Sequence, residues 1–241
     1  LYLIASHSRL FTDAGITPIV SSAEAIELCR DKYAFYQYLK KNGLPAITTC
    51  SSFEAFQKEA EAGTMKLPVF LKPVRGCGSI GIQKVEQLGL LEALCRYQTE
   101  PYIIQNFAEG EEFGADIYVD LLTKRPVSLF VKKKLRMRAG ETEKSVSCKD
   151  PVLFELIEKT LSPLELTGPV DVDIFRIDGR YYISEINPRF GGGYPHAYNC
   201  GVNFPRLIAN NLAGLANERK IGDYEENVCM LKYTDLLTMQ V

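Results

Sequence analysis

Apolar positions along this chain follow two spacings that alternate over short segments. Apolar residues three or four positions apart predict amphipathic helices, and these segments are 31–42, 52–62, 87–96, 152–161, 203–215 and a helix that begins near Glu24. Alternating apolar and polar residues predict strands, and these segments are 15–20, 47–50, 67–72, 81–85, 102–105, 114–120 and 127–131. Two more strands flank the turn signal Asp178-Gly179. Short helices and strands mixed in this way predict an α+β fold.

The second of the two strands beside that turn carries the most informative polar residues. Glu185 and Asn187 stand two apart in a β-branched and aromatic run that stops at Pro188. Alternate residues of a strand share a face, so one carboxylate and one amide oxygen project together. Such hard oxygen donors favour Mg²⁺ or Mn²⁺ bridging to a nucleotide phosphate. The alternative interpretation is a strand whose exposed face is merely polar.

Asp173 supplies a further carboxylate, in the strand before the turn. A two-residue turn at Asp178-Gly179 would pair Asp173 with Ser184 and leave Glu185 on the opposite face of the sheet. A three-residue turn through Arg180, or a β-bulge, would bring the two carboxylates to one face. We expect one of these two arrangements.

A glycine-rich segment joins the predicted strands 67–72 and 81–85. Its glycines match the spacing of the dinucleotide fingerprint, but that fingerprint needs a helix directly after the loop, and 82–85 alternates like a strand. A strand–loop–strand hairpin can instead fold over a triphosphate, because glycine lets backbone N–H groups approach the oxygens closely. Lys72 would then neutralise phosphate charge. The candidate loop residues are Gly76, Gly78, Ser79 and Gly81. A nicotinamide site and a purely structural turn are the alternatives.

Composition and charge restrict the class of protein. The chain has 241 residues, 46% hydrophobic and 24% charged, which is ordinary for a globular protein. The longest apolar runs fall short of the roughly 18 residues that a membrane span needs, and the first five residues lack the basic flank of a signal peptide. We therefore expect a cytoplasmic protein. The net charge of −2 argues against nucleic-acid binding through overall basicity.

The cysteines and histidines point away from disulfides and zinc. The seven cysteines are an odd number without a Cys-x-x-Cys pair, and they are interpreted as reduced thiols. His7 and His196 are the two histidines in the sequence, so imidazole-rich metal sites are not expected.

These motifs together resemble the ATP-grasp superfamily, in particular its carbamoyl-phosphate-synthase-like and carboxylate–amine ligase branch. The most specific element is Glu185-Ile-Asn-Pro-Arg189 followed by glycines, and the resemblance extends from Asp31 to about Gly214. It implies an ATP-grasp fold, in which two α+β subdomains enclose the nucleotide. The implied divisions are the tail of a preceding α/β domain, a linking helix, a lid and a metal-binding subdomain, at 1–30, 31–45, 46–106 and 107–241. We expect the chain to be part of a longer protein.

The resemblance also implies roles for individual residues. Lys32 and Lys72 would reach ATP phosphate, although Lys32 is also explained as a solvated residue near a helix start. The segment 102–113 resembles the adenine hinge, where Gln105 stands in place of the usual Glu, Phe107 would offer backbone hydrogen bonds to adenine, and Glu112 would hold the ribose. The alternative for Glu111 and Glu112 is plain loop charge. Asp173, Glu185 and Asn187 match the metal positions.

The basic segment 132–138 has two interpretations. Lys132, Lys134, Arg136 and Arg138 alternate, so all four share a face if the segment is a strand. The segment then forms either a charge-protected sheet edge or a site for phosphate or carboxylate. Because relatives place an arginine near the transferred phosphate, Arg136 and Arg138 are catalytic candidates. Arg189 follows the metal positions directly and is the third.

The implied reaction is ligation driven by ATP and Mg²⁺ or Mn²⁺. A carboxylate or bicarbonate would form an acyl phosphate, and an amine or similar nucleophile would displace the phosphate. The expected partners are small-molecule carboxylates and amines, with no nucleic acid and no membrane, and a homodimer is left open. Two other classes are an ATP-binding accessory module without turnover and a nucleic-acid-binding protein that uses 132–138.

Overall fold

The computed structural model describes residues 1–76, 80–107, 109–138, 140–233, 236 and 238–239. The amino-terminal segment forms helices α1 (Tyr2–Ser6), α2 (Ser8–Asp13), α3 (Ala23–Arg30) and α4 (Lys32–Lys41). The Ser22 side chain caps α3, and the Asp31 side chain caps α4 by accepting hydrogen bonds from two backbone N–H groups. These caps satisfy donors that the first helical turn leaves without partners.

A small antiparallel sheet follows in the order β1-β4-β2-β3. Its elements are β1 (Thr49–Cys50), α5 (Phe53–Glu61), β2 (Val69–Pro73), β3 (Gln83–Val85), α6 (Leu88–Tyr97) and β4 (Tyr102–Asn106). Helices α5 and α6 bury Phe56 and Leu91 against Val69 and Ile104 of the sheet. The small sheet therefore has a hydrophobic core of its own.

A larger sheet forms the rest of the structure, in the order β11-β7-β6-β5-β8-β9, with β10 beside β6. Its elements are β5 (Glu111–Val119), β6 (Pro126–Arg138), β7 (Glu141–Cys148), α7 (Pro151–Leu161), β8 (Gly168–Ile177), β9 (Arg180–Asn187), α8 (Tyr194–Asn199), α9 (Phe204–Leu212), β10 (Lys220–Ile221) and β11 (Cys229–Leu231). The pairs β5–β6, β5–β8 and β8–β9 are antiparallel.

Both faces of the larger sheet are covered. Helices α3, α4 and α7 pack on one face around Ala115, Val131 and Val172. Helices α8 and α9 pack on part of the other face around Tyr118 and Phe130. Since successive side chains of a strand point to opposite faces, Asp171 and Asp173 project away from the face that α3, α4 and α7 cover.

The predicted helices and most predicted strands are confirmed within a few residues, and so is the α+β class. The predicted strand 15–20 is wrong, because the segment after α2 is irregular and forms no ladder with another described strand. At its end, Val20 accepts from the Thr167 hydroxyl, and Ser21 and Ser22 bond to Thr167 and Glu165. Strand β7 and helix α8 were not predicted. The inward side chains of β7 include Ser145 and Ser147, whose burial leaves no apolar alternation to detect.

None of the helices in the described part of the chain is long and apolar enough to cross a membrane.

Candidate functional site

A cavity of about 480 Å³ lies between the two sheets, within the size range of small-molecule sites. Its lining includes three lysines, Lys32, Lys72 and Lys134. It also includes four acidic or amide side chains, Gln105, Glu112, Asp173 and Glu185. The predicted lysines and carboxylates, far apart in sequence, therefore meet around one space.

Lys32 reaches the cavity from the first turn of α4. The Asp31 cap starts this helix, and the Lys32 N–H donates to the Val74 carbonyl at 3.1 Å. The Lys32 Nζ donates to the Gly76 carbonyl at 3.0 Å. The lysine thus spans from the helix to the beginning of the glycine loop, where a phosphate would lie.

Lys72 is oriented by a chain of hydrogen bonds. The Thr49 hydroxyl donates to the Ile47 carbonyl at 2.8 Å, so its oxygen is left to accept from Gln105 Nε2 at 3.0 Å. That interaction turns Gln105 Oε1 toward Lys72 Nζ, which donates to it at 2.7 Å. Gln105 therefore gives Lys72 a neutral partner.

The charge of Lys72 is poorly compensated as a result. Burial, together with the nearby charge of Lys32, lowers the pKa of the Lys72 ammonium to about 8, and Glu185 opposes the shift only in part. An ammonium in this state gains from an approaching anion, because the anion restores its lost solvation.

Strands β8 and β9 bring Asp173 and Glu185 together, as the sequence predicts. Asp173 pairs directly with Glu185, and Ile174 pairs with Ile183, so the register shifts by one residue at Ser184. Asp178-Gly179 is a two-residue turn between the paired Ile177 and Arg180. The expected bulge is confirmed, and the alternative of a three-residue turn is wrong.

Burial disfavours the charged form of these carboxylates. Burial raises the pKa of Glu185, with Asp173 adding to the shift and Lys32 opposing it. Burial, the charge of Asp173 and the charge of Asp116 raise the pKa of Asp171 to about 7. A divalent cation would relieve this repulsion.

Asp171 is a site residue that sequence reasoning did not single out. It pairs with Asn187 on β9 and with Asp116 on β5. Arg189 Nη1 lies 3.4 Å from Asp171 Oδ2 and donates to the Phe190 carbonyl at 2.8 Å. The signal that could have found Asp171 is its spacing of two from Asp173, which places both on one strand face.

The basic segment is a strand, but its four cations do not share one environment. The ammonium groups of Lys132 and Lys134 form ion pairs with Asp116 and Asp173. Beyond Lys134 the register shifts, and Arg136 and Arg138 form ion pairs with Glu143 at 2.8 and 3.4 Å. The prediction of one shared face is therefore wrong, because a bulge breaks the alternation.

Exposure separates the two halves of this segment. The side chains of Lys132 and Lys134 are 2% and 8% exposed, whereas those of Arg136 and Arg138 are 63% and 71% exposed. Lys134, which was not chosen as a site residue from sequence, lines the cavity. A contact between either arginine and transferred phosphate stays a prediction.

Gly114 leaves room for the side chains of Lys132 and Lys134. On strand β5 it lies between β6 and β8, and a Cβ built there would be 3.1 Å from Lys134 Cε and 3.3 Å from Lys132 Cε. The missing side chain leaves a passage over β5. Through it, Lys134 reaches Asp173 on the next strand.

Burial and charge act against each other at Lys134. Burial alone would lower the pKa of its ammonium, but the charges of Asp173, Glu112 and Asp171 outweigh that effect and raise the pKa above its ordinary value. Lys134 is therefore held as a cation beside the predicted metal residues.

The glycine loop is described only at its two ends. Gly76 lines the cavity, and Gly81 adopts φ +76°, where a Cβ would also lie 3.0 Å from Pro73. Gly78 and Ser79, two of the predicted phosphate-binding residues, lie outside the described residues.

The predicted adenine hinge borders the same cavity. Gln105 and Glu112 line it. The Phe107 N–H donates to the Pro68 carbonyl at 3.3 Å, and its ring packs 5.1 Å from that of Phe70. To hydrogen-bond adenine, Phe107 would therefore have to accept a bond at its carbonyl. The alternative is that its N–H releases the Pro68 carbonyl and donates to adenine.

The donor set suits a hard cation. Asp173 and Glu185 line the cavity with carboxylates, whereas the third predicted donor, the Asn187 amide, pairs with Asp171 and is not among the lining residues. The Lys134 ammonium already stands beside Asp173 as a positive charge. Within the described ranges, no three carboxylate, imidazole or thiol side chains form a metal cluster. Two carboxylates with an amide leave positions for phosphate oxygens, as Mg²⁺ bound to nucleotide requires.

Comparison with known proteins assigns the family. A model of the ATP-grasp domain matches residues 29–193, which contain the cavity lysines and the carboxylate strands. The chain belongs to the ATP-grasp family. The family and the fold predicted from the sequence are confirmed.

Relatives of this ATP-grasp chain include two kinds of enzyme. The carbamoyl phosphate synthase arginine-specific large chain of Geobacillus stearothermophilus is 23% identical over an aligned length of 237, and the match covers 92% of this chain and 23% of the relative. The D-alanine–D-alanine ligase of Corynebacterium aurimucosum is 28% identical over an aligned length of 234, and the match covers 83% of this chain and 64% of the ligase. The chain spans less than two thirds of the length of either relative.

A solved structure shows the same fold. The biotin carboxylase domain of Hydrogenobacter thermophilus 2-oxoglutarate carboxylase superposes with a TM-score of 0.74 at 18% identity, covering 95% of this chain and 54% of that domain. That protein was solved as a dimer with MgADP, ADP and bicarbonate.

Proposed function

We propose that this chain is an ATP- and Mg²⁺-dependent ligase that joins a carboxylate, or bicarbonate, to an amine or similar nucleophile. The observation that carries the proposal is the 480 Å³ cavity, whose lining brings Lys32 and Lys72 together with Asp173 and Glu185. Lysine cations and hard-oxygen donors around one cavity suit a triphosphate chelated to a divalent ion.

Residues of the small sheet, together with Lys32 on α4 and Glu112 on β5, would hold the nucleotide. Lys32 and Lys72 would neutralise the phosphates, while the glycine loop would cover them with backbone N–H groups. Gln105 fixes Lys72 and, with Phe107 and Glu112, would form the adenosine side of the site. This division leaves the phosphate end of the nucleotide beside Asp173 and Glu185.

The metal-binding residues would be Asp173, Glu185 and Asn187. When bound, Mg²⁺ supplies charge neutralisation for the phosphates and for the oxygen that leaves. Arg189 adds a guanidinium, 45% exposed and anchored near Asp171, that can accept a planar carboxylate or phosphate.

The reaction would take place in two displacements. A carboxylate oxygen attacks the γ-phosphorus, the bond from that phosphorus to the β–γ bridging oxygen breaks, and ADP leaves with an acyl phosphate formed. The amine then attacks the acyl carbon, phosphate departs, and the amine nitrogen loses a proton. The chain's part is alignment and charge neutralisation, so no nucleophilic side chain is needed.

Calorimetric titration of ATP, with and without Mg²⁺, tests the binding step. We expect metal-dependent binding that Lys72→Met weakens by ~1.5–3 kcal/mol, the scale of a contact to a charged group. Lys58→Met is the matched control, because Lys58 is exposed on α5. Wild-type affinity in Lys72→Met, or binding that ignores Mg²⁺, would contradict the proposed site.

Acceptor screening tests the ligase activity. ADP release would be measured with ATP–Mg²⁺ and a panel of amino acids and small carboxylic acids. Release that depends on both a carboxylate and an amine supports ligation, whereas ATP binding without any stimulated release argues for an accessory module. Sedimentation with and without nucleotide would test whether the chain forms a homodimer.

A further inference from the structure

Lys134 is a buried lysine that lines the proposed nucleotide cavity, and no role was predicted for it from the sequence. Its side chain is 8% exposed, it lines the cavity, and its Nζ donates to Asp173 Oδ1. Its neighbour Lys133 differs, because that side chain is 41% exposed and forms an ion pair with Glu111. Lys134 is thus directed at the predicted metal position.

The local structure is built to bring this ammonium to Asp173. Lys134 starts on β6 and crosses β5 before it reaches β8, and it can do so because residue 114 is glycine. A lysine side chain carries a compact ammonium at the end of a flexible four-carbon stem. A side chain at residue 114 would contact this stem, since a Cβ there would lie 3.1 Å from Lys134 Cε.

The charges around Asp173 require a cation there. Asp116, Asp171, Asp173 and Glu185 lie on three adjacent strands, and the charges of Asp116 and Asp173 both act on Asp171. Lys132 is paired with Asp116, and Arg189 lies near Asp171. Asp173 has Lys134 as its ion-pair partner.

We propose that Lys134 is an exchangeable counter-cation of the metal site: it neutralises Asp173 in the nucleotide-free chain and moves to the phosphates when Mg²⁺ and nucleotide bind. The inference rests on the proposed ATP site. An ammonium and a divalent ion on the same carboxylate repel each other strongly in a partly buried site. The ammonium must therefore leave, and nucleotide phosphate is the anion that the proposed site would offer beside it.

This exchange has a consequence that a purely structural ion pair lacks. While Lys134 occupies Asp173, metal alone must compete with it and should bind weakly. Bound nucleotide gives the ammonium another partner, so it should strengthen metal binding. Metal and nucleotide are then coupled through Lys134, and by linkage the coupling is the same in both directions.

The test measures Mn²⁺ binding without nucleotide, from the electron paramagnetic resonance signal of free Mn²⁺. In Lys134→Met we expect Mn²⁺ to bind tighter by about tenfold to a hundredfold, the range for loss of one contact to a charged group. Lys133→Met carries the same chemical change on the other face of β6 and should match the wild type. Adding Asp173→Asn to Lys134→Met should remove the gain.

A second measurement adds ADP. In the wild type, ADP should strengthen Mn²⁺ binding, and in Lys134→Met that strengthening should shrink by at least about tenfold. Circular dichroism checks folding, and Lys134→Gln, which keeps part of the stem and a polar head, replaces Lys134→Met if the latter does not fold. Lys134→Arg keeps the charge and should keep weak Mn²⁺ binding.

Unchanged or weaker Mn²⁺ binding in the folded Lys134 variant would overturn the proposed exchange, even if ATP binds. Failure of the wild type to bind ATP–Mg²⁺ would instead overturn the ATP site and, with it, the phosphate half of the exchange. The Mn²⁺ comparison without nucleotide separates these two results, because it needs no nucleotide.

Discussion

Asp173 and Glu185 are direct cross-strand partners on β8 and β9, although the two-residue turn between the strands would place them on opposite faces. Ser184 is the extra residue that corrects this mismatch. The bulge lets Ile183 and Ile186 both face the hydrophobic core while Ser184 and Glu185 line the cavity. One inserted residue thus keeps the isoleucines in the hydrophobic core and also brings Glu185 to the cavity beside Asp173.

Glu185→Gln should abolish turnover and leave the fold intact. A neutral amide holds a divalent cation far less well than a carboxylate, and the substitution preserves size. ADP release measures the effect, with circular dichroism as the folding control. Glu61→Gln, at the exposed end of α5, should remain fully active. Full activity in Glu185→Gln would locate the metal elsewhere.

ATP affinity should depend on pH through Lys72. Because the pKa of this ammonium is lowered to about 8, the group is charged below pH 8 and loses its proton as pH rises through that value. The ATP dissociation constant of the wild type should therefore rise above pH 8, by up to about tenfold for each pH unit. Calorimetry between pH 6.5 and about 9.5 measures it.

Lys72→Arg is the matched comparison, since a guanidinium stays charged over this whole range. Its ATP affinity should be nearly independent of pH, whatever its absolute value. Parallel pH profiles for wild type and variant would show that a different group controls the decline.

Lys132→Met should strongly destabilise the fold. Lys132 and Asp116 are a buried ion pair, 2% and 1% exposed, and Asp116 Oδ1 has no hydrogen-bond partner in the described part of the chain. Removing one partner of such a pair costs about 3–5 kcal/mol, because the other charge stays buried. Urea unfolding measures the free energy.

The double variant Lys132→Met/Asp116→Leu provides the control for that result. Replacing both charges removes the uncompensated carboxylate, so much of the lost stability should return. A double variant no more stable than Lys132→Met would show that packing, and not the unpaired charge, causes the loss.

Gly191→Ala should destabilise the loop that carries Arg189. A Cβ at Gly191 would lie 2.5 Å from Asp171 Oδ1 and 3.1 Å from Asp116 Oδ1, and both acceptors are held in strands. The unfolding midpoint in urea should fall, and acceptor-dependent ADP release should fall with it.

Gly89→Ala is the matched substitution for Gly191→Ala. Gly89 lies in α6, and nothing stands within 4 Å of its Cβ position. Alanine there should stabilise the chain by roughly 0.5–1 kcal/mol, since glycine is a poor helix residue. Equal effects at the two glycines would contradict the steric explanation.

Much of the fold follows from local rules that the sequence expresses. Ser22 and Asp31 start helices as their capping chemistry requires, and the spacing of Glu185 and Asn187 places them on one strand face. The Glu185 to Arg189 motif also identified the family, because that residue order is specific to the metal strand and the loop after it.

Other features depend on contacts between segments distant in sequence. The predicted strand 15–20 is wrong because no described segment pairs with it as a strand, and its last residue, Val20, accepts from the distant Thr167 hydroxyl instead. Beyond the bulge after Lys134, Arg136 and Arg138 form ion pairs with Glu143. No local sequence pattern predicts this register shift.

The sequence by itself determined the family and the strands that carry the predicted metal residues, because spacing and capping act within a few residues of one another. Only the tertiary structure decided that Asp173 and Glu185 share a face, that Gln105 orients Lys72, and that Lys134 passes over Gly114 to Asp173. Those relationships join residues from different strands. They depend on strand order, register and the space left by neighbouring side chains, which are properties of the packed sheets and not of any one segment.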